Sequence, residues 1–367
     1  MTALSVAAMN KEIRMSKILQ HLVDGQSLNQ EQAQAFFSQT FNGEIAPELL
    51  ASVLTVLKIK GETSHEIAGA AVAVRSCATS FPQQPADVAD CVGTGGDGAN
   101  TINISTTAAI LTAACGLKMA KHGNRSVSSM SGSADLLEAF GVNLMMSPQT
   151  ASQCLAETNL CFLYAPAYHP GFKYAAPVRK AMGIRTLFNI LGPLVNPAQP
   201  KTMLLGVYTP ALLDVMAKSL VLTGVQRAWV VHGSGLDEIA LHGETHVIEI
   251  NKGKLTEKTI TPEDFGLARF TLEDIKGGTP QENAHIIHAI LSGKGQAAHN
   301  AAVIINCAAL LYLHHKADDL KSAATMASEV LASGKGLATL EAMVAVSNRV
   351  TNLKKNRIPH TESERKQ

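Results

Sequence analysis

Four things are scarce in this 367-residue chain, and each scarcity removes a class of function. Charge of one sign is missing: 31 Lys and Arg stand against 30 Asp and Glu, a formal net charge of +1. Proteins that track nucleic acid or acidic membranes need a basic excess, so neither partner is expected. Aromatic residues make up 4%, with a single Trp, which leaves little material for stacking unpaired bases. The six cysteines, Cys77, Cys91, Cys115, Cys154, Cys161 and Cys307, contain no CxxC pair. Most sit in apolar settings such as Ala113-Ala114-Cys115, a usage that fits a reducing cytosol. Long apolar runs are absent too: 108–117 and 301–313 are too short to cross a bilayer. An apolar stretch precedes the first charge, Lys11, the reverse of the order in a signal peptide. The expected location is the cytoplasm. What is present, 46% hydrophobic and 17% charged residues, describes a folded protein long enough for about two domains.

The apolar period divides the chain. Residues 10–79 read as helical, with helices expected over Gln30–Thr40 (capped by Ser27 or Leu28-Asn29), Glu48–Lys60 (opened by Ala46-Pro47-Glu48) and His65–Thr79 (capped by Thr63 or Ser64). Two prolines in Ser80–Pro85 break the pattern and mark a boundary. After them, short strands are expected at Val88–Val92, Lys118–Lys121, Leu160–Tyr164, Met203–Tyr208, Ala228–Val231 and Val247–Ile250, most separated by helical segments. Such alternation predicts an α/β domain with a largely parallel sheet. Ala175–Leu191 reads as a helical insertion, and helix is expected again from Thr279 to about Ser347.

The first expected strand runs into Gly93-Thr94-Gly95-Gly96-Asp97-Gly98, which formally satisfies GxGxxG. A dinucleotide site would also need a helix opening inside the loop and an acid about 20 residues on, for the ribose. Here the helix begins late, near Ser105, and from Gly98 to Ala134 there is no Asp or Glu at all. A P-loop is excluded because Ala99 stands where its lysine would follow Gly98. The acid-free window instead holds Lys118, Lys121, His122 and Arg125 with two hydroxyl clusters, 103–107 and 126–133. Hydroxyls and backbone N–H groups at helix starts hold phosphates. A carboxylate about 4 Å from a phosphate would cost on the order of 4 kcal/mol near a surface, so a phosphate site excludes acids.

Two acids return together at Asp237-Glu238, in a loop after the Ala228–Val231 strand. Adjacent carboxylates there can share hydrated Mg²⁺, which also binds substrate phosphates, although a solvated turn has the same appearance. Arg179 carries a fork suited to a carboxylate, although a surface arginine like its neighbour Arg185 has the same appearance. His242 to His246 is not HExxH, and no GxSxG elbow or kinase set is present.

Together these pieces are specific. Gly93 to Asp97, Asn103 to Thr106, Lys121 to Arg125 leading into Ser131 to Asp135, Tyr168-His169-Pro170, Arg179 and Asp237-Glu238 resemble the anthranilate phosphoribosyltransferase family in order and spacing. The resemblance implies a small all-helical domain plus a larger α/β domain with a central, mostly parallel sheet flanked by helices. The helical domain would take 1–84 with the inserted segment near 171–195; the α/β domain would take 85–170 and 196–367. It implies phosphoribosyl diphosphate held by Gly93, Gly96, Asp97, Thr101, Asn103, Ile104, Ser105, Thr106, Lys121, His122, Gly123, Asn124, Arg125, Ser126, Val127, Ser128, Ser129 and Ser133. Anthranilate would lie against Gly93, Asn124, Tyr168, His169 and Arg179, with Lys121, Asn124 and Arg179 as the catalytic set. Mg²⁺ would bind through Ser105, Asp237 and Glu238. A homodimer through the helical domain is implied as well. Met130 stands where many relatives carry a polar or basic residue. Two rival readings are a pyrimidine nucleoside phosphorylase, whose signatures differ from Lys121–Arg125, and a catalytically silent relative that binds nucleic acid, which would want a basic surface.

Overall fold

The computed structural model describes residues 17–82, 87–126 and 130–349. Val127, Ser128 and Ser129 lie outside the described residues. Helices α1 (Ile18–Val23), α2 (Gln30–Asn42), α3 (Pro47–Lys60) and α4 (Ser64–Ser76) open the fold. Their starts follow from local chemistry. The Asn29 side chain accepts the Gln32 N–H at 2.8 Å while Gln32 accepts the Asn29 N–H at 3.0 Å, and Thr63 and Glu66 repeat the arrangement for α4. Pro47 fills the first position of α3, where no N–H is required.

A seven-stranded sheet follows: β1 (Ala89–Gly93), β2 (Met119–Gly123), β3 (Leu160–Tyr164), β4 (Thr202–Gly206), β5 (Arg227–Gly233), β6 (Thr245–Asn251) and β7 (Lys254–Ile260). Its order is β3-β2-β1-β4-β5-β6-β7, parallel through β5 and antiparallel beyond. The connections are α5 (Ile104–Ala114), α6 (Ser133–Ala139), α7 (Pro148–Thr158), α8 (Ala165–Tyr168), α9 (Phe172–Met182) and α10 (Leu213–Leu222); α11 (Pro280–Leu291), α12 (Ala297–Leu313), α13 (Leu320–Ala332) and α14 (Lys335–Ser347) close the chain. The expected small helical part and larger, mostly parallel α/β part are both present.

Period-2 alternation splits the sheet's apolar residues between two cores. Leu204, Trp229 and Val231 join α5, α12 and α14 on one face. Met203, Leu205 and Val230 join α2, α3, α4 and α9 on the other, so the helical bundle and that sheet face share one core. Among the described residues no single helix is long and apolar enough to cross a membrane.

Two expectations need correction. The inserted helix does not reach Leu191: it ends at Met182 because Gly183 takes the left-handed conformation (φ 62°), and 3-10 turns at Leu187–Asn189 and Gly192–Leu194 follow. Strand β7 was not expected. It is a largely exposed edge strand with few apolar residues, joined to β6 by Lys252-Gly253, both left-handed (φ 48° and 85°) as a two-residue hairpin demands.

The topology also picks out a place. Strand order reverses direction at β1, with β2 on one side and β4 on the other. In open parallel sheets ligands bind outside the carboxyl ends of the strands at such a switch point. Gly93 ends β1, Gly206 ends β4, and Asp237 follows β5 shortly after.

Candidate active site

At the switch point the two acids meet the glycine loop. The Gly95 N–H donates to Asp237 Oδ2 at 2.6 Å, and both the backbone N–H (3.1 Å) and the hydroxyl of Ser105 donate to Glu238 Oε1. A Cβ on Gly93 would collide with the Asp237 carboxylate, and one on Gly206 would collide with the Asp237 backbone, so only glycine permits this approach. Burial raises Asp237 to about 7, with the Asp97 carboxylate adding to the effect. Burial likewise raises Glu238 to about 8, helped by Asp237 and opposed by the Ser105 hydroxyl and Lys121. Two neighbouring carboxyls withdrawn from water, with a hydroxyl beside them, form an oxygen donor set short of positive charge. It fits a hard divalent cation such as Mg²⁺.

The acid-free loops are built around this pair. Asn103 precedes α5; its Nδ2 donates to the Ser131 carbonyl at 2.9 Å, joining the two hydroxyl clusters. Thr101 bridges to Lys276, and Asp97 Oδ1 accepts the Ala99 N–H at 3.1 Å. Ile104 and Thr106 are buried in α5. Gly123 ends β2 where a Cβ would press on Phe162 and Ser133. Asn124 accepts the Arg125 N–H through its side chain and the Ala134 N–H through its carbonyl. Acids from outside the window do enter it. Asp135 Oδ2 accepts the Ser126 and Gly132 N–H groups, each at 2.9 Å, and Arg125 turns outward to Asp135 and Glu138. The Arg125 guanidinium is therefore already paired with two carboxylates, one of which also holds the loop. Lys121 is buried, and its ammonium donates to the Cys91 carbonyl at 2.7 Å beside Asp90.

His122 and His169 form a buried pair, their Nε2 atoms 3.2 Å apart. His122 Nδ1 lies 3.2 Å from the Gly192 carbonyl, so Nδ1 carries the proton and Nε2 accepts from His169. Burial lowers His122 to about 3, with His169 adding to the effect, and lowers His169 to about 4. Below pH 6.5 the unfolded chain takes up protons these rings refuse, so stability falls as pH drops towards 4. Asp90, raised to about 6 by burial, works in the opposite sense. Between pH 7 and 5 a His122→Gln variant should lose about 2 kcal/mol less stability than the wild type in chemical denaturation. Equal losses would show that His122 titrates normally.

Tyr168 is not brought to the others: it is buried edge-on against Phe81. Arg179 is half-buried on α9, with its guanidinium 5.7 Å from the Phe188 ring. It has no ion pair among the described residues.

Comparison with known proteins decides the family. Residues 85–337 match the glycosyl transferase family a/b domain, and residues 16–78 match that family's helical bundle domain. The anthranilate phosphoribosyltransferase of Colwellia psychrerythraea is 74% identical over 336 residues, 91% of this chain and 92% of that protein. The chain belongs to the anthranilate phosphoribosyltransferase family. Among solved structures, the Thermus thermophilus anthranilate phosphoribosyltransferase is 41% identical, with a TM-score of 0.86 over 91% of this chain and all of that one. The Saccharomyces cerevisiae enzyme in complex with PRPP and Mg is 28% identical, with a TM-score of 0.83 over 91% of this chain and 97% of that one.

Within this phosphoribosyltransferase fold, two further residues shape the site, neither of them given a role by the sequence. Asn283, fully buried on α11, donates to Asn103 Oδ1 at 2.8 Å and accepts the Gly278 N–H at 2.7 Å, which fixes the orientation of the Asn103 amide. It lies 180 residues from its partner, and an isolated Asn in a helix carries no signal. The other is Arg185, which donates to the Gly96 carbonyl at 2.8 Å.

Proposed function

We propose that this enzyme transfers the 5-phosphoribosyl group from phosphoribosyl diphosphate to the amine of anthranilate, giving N-(5-phosphoribosyl)anthranilate and diphosphate, a step of tryptophan biosynthesis. The observation that carries the reading is the seating of Asp237 and Glu238 on Gly95 and Ser105, which unites the sequence's isolated acid pair with its acid-free loops. When bound by Asp237, Glu238 and Ser105, Mg²⁺ supplies positive charge to the departing diphosphate.

The chain's own groups do the rest. Loss of diphosphate from the ribose C1 leaves positive charge on the sugar and negative charge on the leaving group. Loop N–H groups around Gly93 to Asp97, Asn103 to Thr106 and Lys121 to Ser133 stabilise the leaving charge best when it is fully developed. The Lys121 ammonium spends one of its three donors on the Cys91 carbonyl, and from there it lowers the cost of ionising Glu238. The aromatic amine is a neutral nucleophile with a free lone pair at pH 7, so no strong base is required. Catalysis is then chiefly positioning, with Arg179 gripping the anthranilate carboxylate and Asn124 beside it. The helical unit, 1–84 with 171–195, would close on the α/β unit, 85–170 with 196–367, once both substrates are held. The working form in this reading is a cytoplasmic homodimer joined through the helical unit.

Anthranilate fluorescence tests the reaction: it should disappear when purified protein, phosphoribosyl diphosphate and Mg²⁺ are combined. Persistent fluorescence with folded protein, together with a salt-dependent DNA shift, would favour the nucleic-acid-binding reading.

A further inference from the structure

The glycine loop is held from three sides. Thr94 N–H donates to the Gly206 carbonyl at 2.9 Å, Gly95 N–H donates to Asp237, and the Gly96 carbonyl accepts from Arg185 Nη2 at 2.8 Å. The third tether differs in origin. Arg185 lies in the segment after α9, six residues beyond Arg179, whereas the other anchors belong to the sheet domain. Its guanidinium also covers the Tyr208 ring at 4.4 Å, and the Tyr208 N–H returns to Thr94 Oγ1 at 3.2 Å. The contact is close: any Cβ on Gly96 would strike the guanidinium. Arg185 has no ion pair among the described residues, so its charge stays available beside the loop.

Gly95, Gly96 and Gly98 all have positive φ, 70°, 87° and 75°. A loop rich in left-handed glycines has more conformations to lose on ordering than other chain, so whatever pins it removes that cost from ligand binding. We infer that Arg185 is a positioning residue for the phosphoribosyl diphosphate loop, pre-ordering it through the Gly96 carbonyl and linking it to the segment that carries Arg179. The inference rests on the phosphoribosyl-transfer reading. It separates two nearby arginines: Arg179 for the aromatic acid, Arg185 for the loop that holds the donor.

Calorimetric titration with phosphoribosyl diphosphate and Mg²⁺, paired with steady-state kinetics, tests this. One tether and one ring contact together predict about tenfold weaker donor binding in Arg185→Ala, with the anthranilate KM within twofold of wild type. Arg185→Lys should recover part of the loss, to about threefold, because an ammonium still reaches a carbonyl but cannot lie flat on the Tyr208 ring while doing so. Donor affinity within twofold of wild type in Arg185→Ala overturns the inference, as does an equal loss for both substrates. If Arg185→Ala fails to fold, Arg185→Lys carries the test, and wild-type donor affinity there overturns it. A wild-type protein that binds no donor sinks the transfer reading and this inference together, whereas an active wild type with an unaffected Arg185→Ala removes the inference alone.

Discussion

Replacing Asp237 with Asn should lower kcat/KM by about a thousandfold, the largest loss expected of any single conservative change here. The substitution keeps the size of the side chain and an oxygen able to accept the Gly95 N–H, so the loop retains its anchor. What it removes is one of two neighbouring negative charges. Burial has already raised Asp237 to about 7 and Glu238 to about 8, which means that without a cation neither carboxyl is at ease ionised. A divalent cation reverses that preference, and a site with half the charge holds the cation far less tightly. The measurement is activity against Mg²⁺ concentration. Wild type should saturate at much lower metal than Asp237→Asn, and Glu238→Gln should behave in the same way because its hydrogen bonds to Ser105 survive. A loss under tenfold with an unchanged metal requirement would remove both carboxylates from the metal site.

Arg179→Ala should raise the anthranilate KM about a hundredfold while leaving the KM for phosphoribosyl diphosphate within threefold of wild type. Arg179 is half-buried, lacks an acid partner among the described residues, and is pulled below the ordinary guanidinium value by that burial. An unpaired cation withdrawn from water gains most from a ligand carboxylate, which restores the charge balance lost on burial. Lysine at this position should recover little, since it offers a point charge in place of a two-pronged fork. Equal effects on both substrates would sink the assignment. Seen beside the Arg185 variants, the two arginines should give opposite KM patterns, which no general loosening of the segment could produce.

Much of this was legible in the chain. The helices of the bundle announce themselves by capping residues such as Asn29 and Thr63, because caps act over three or four residues and need no distant partner. Buried strands β1 to β5 show as short apolar runs between breakers. The exposed edge strand β7 did not show, since a strand wetted on most of its surface needs no apolar pattern. Apolar residues continue past Gly183 and carry the expected helix to Leu191, but the glycine's left-handed turn outweighs them and ends it at Met182.

The site divides in the same way. The sequence alone determined the kinds of chemistry available: a window without acids, a separate pair of acids, and a glycine-rich loop at the end of a strand. Those are constraints of composition over short stretches, and they persist however the chain is arranged. Only the tertiary structure decided which groups touch. It set Asp237 on Gly95, Asn283 on Asn103 and Arg185 on Gly96, contacts across 142, 180 and 89 residues. It also turned Arg125 outward to Asp135 and Glu138, and Lys121 inward to Cys91. The reason is physical. A side chain's type limits what it can bind, but its actual partner is chosen by the sheet order and the buried core, which bring distant strand ends to one switch point.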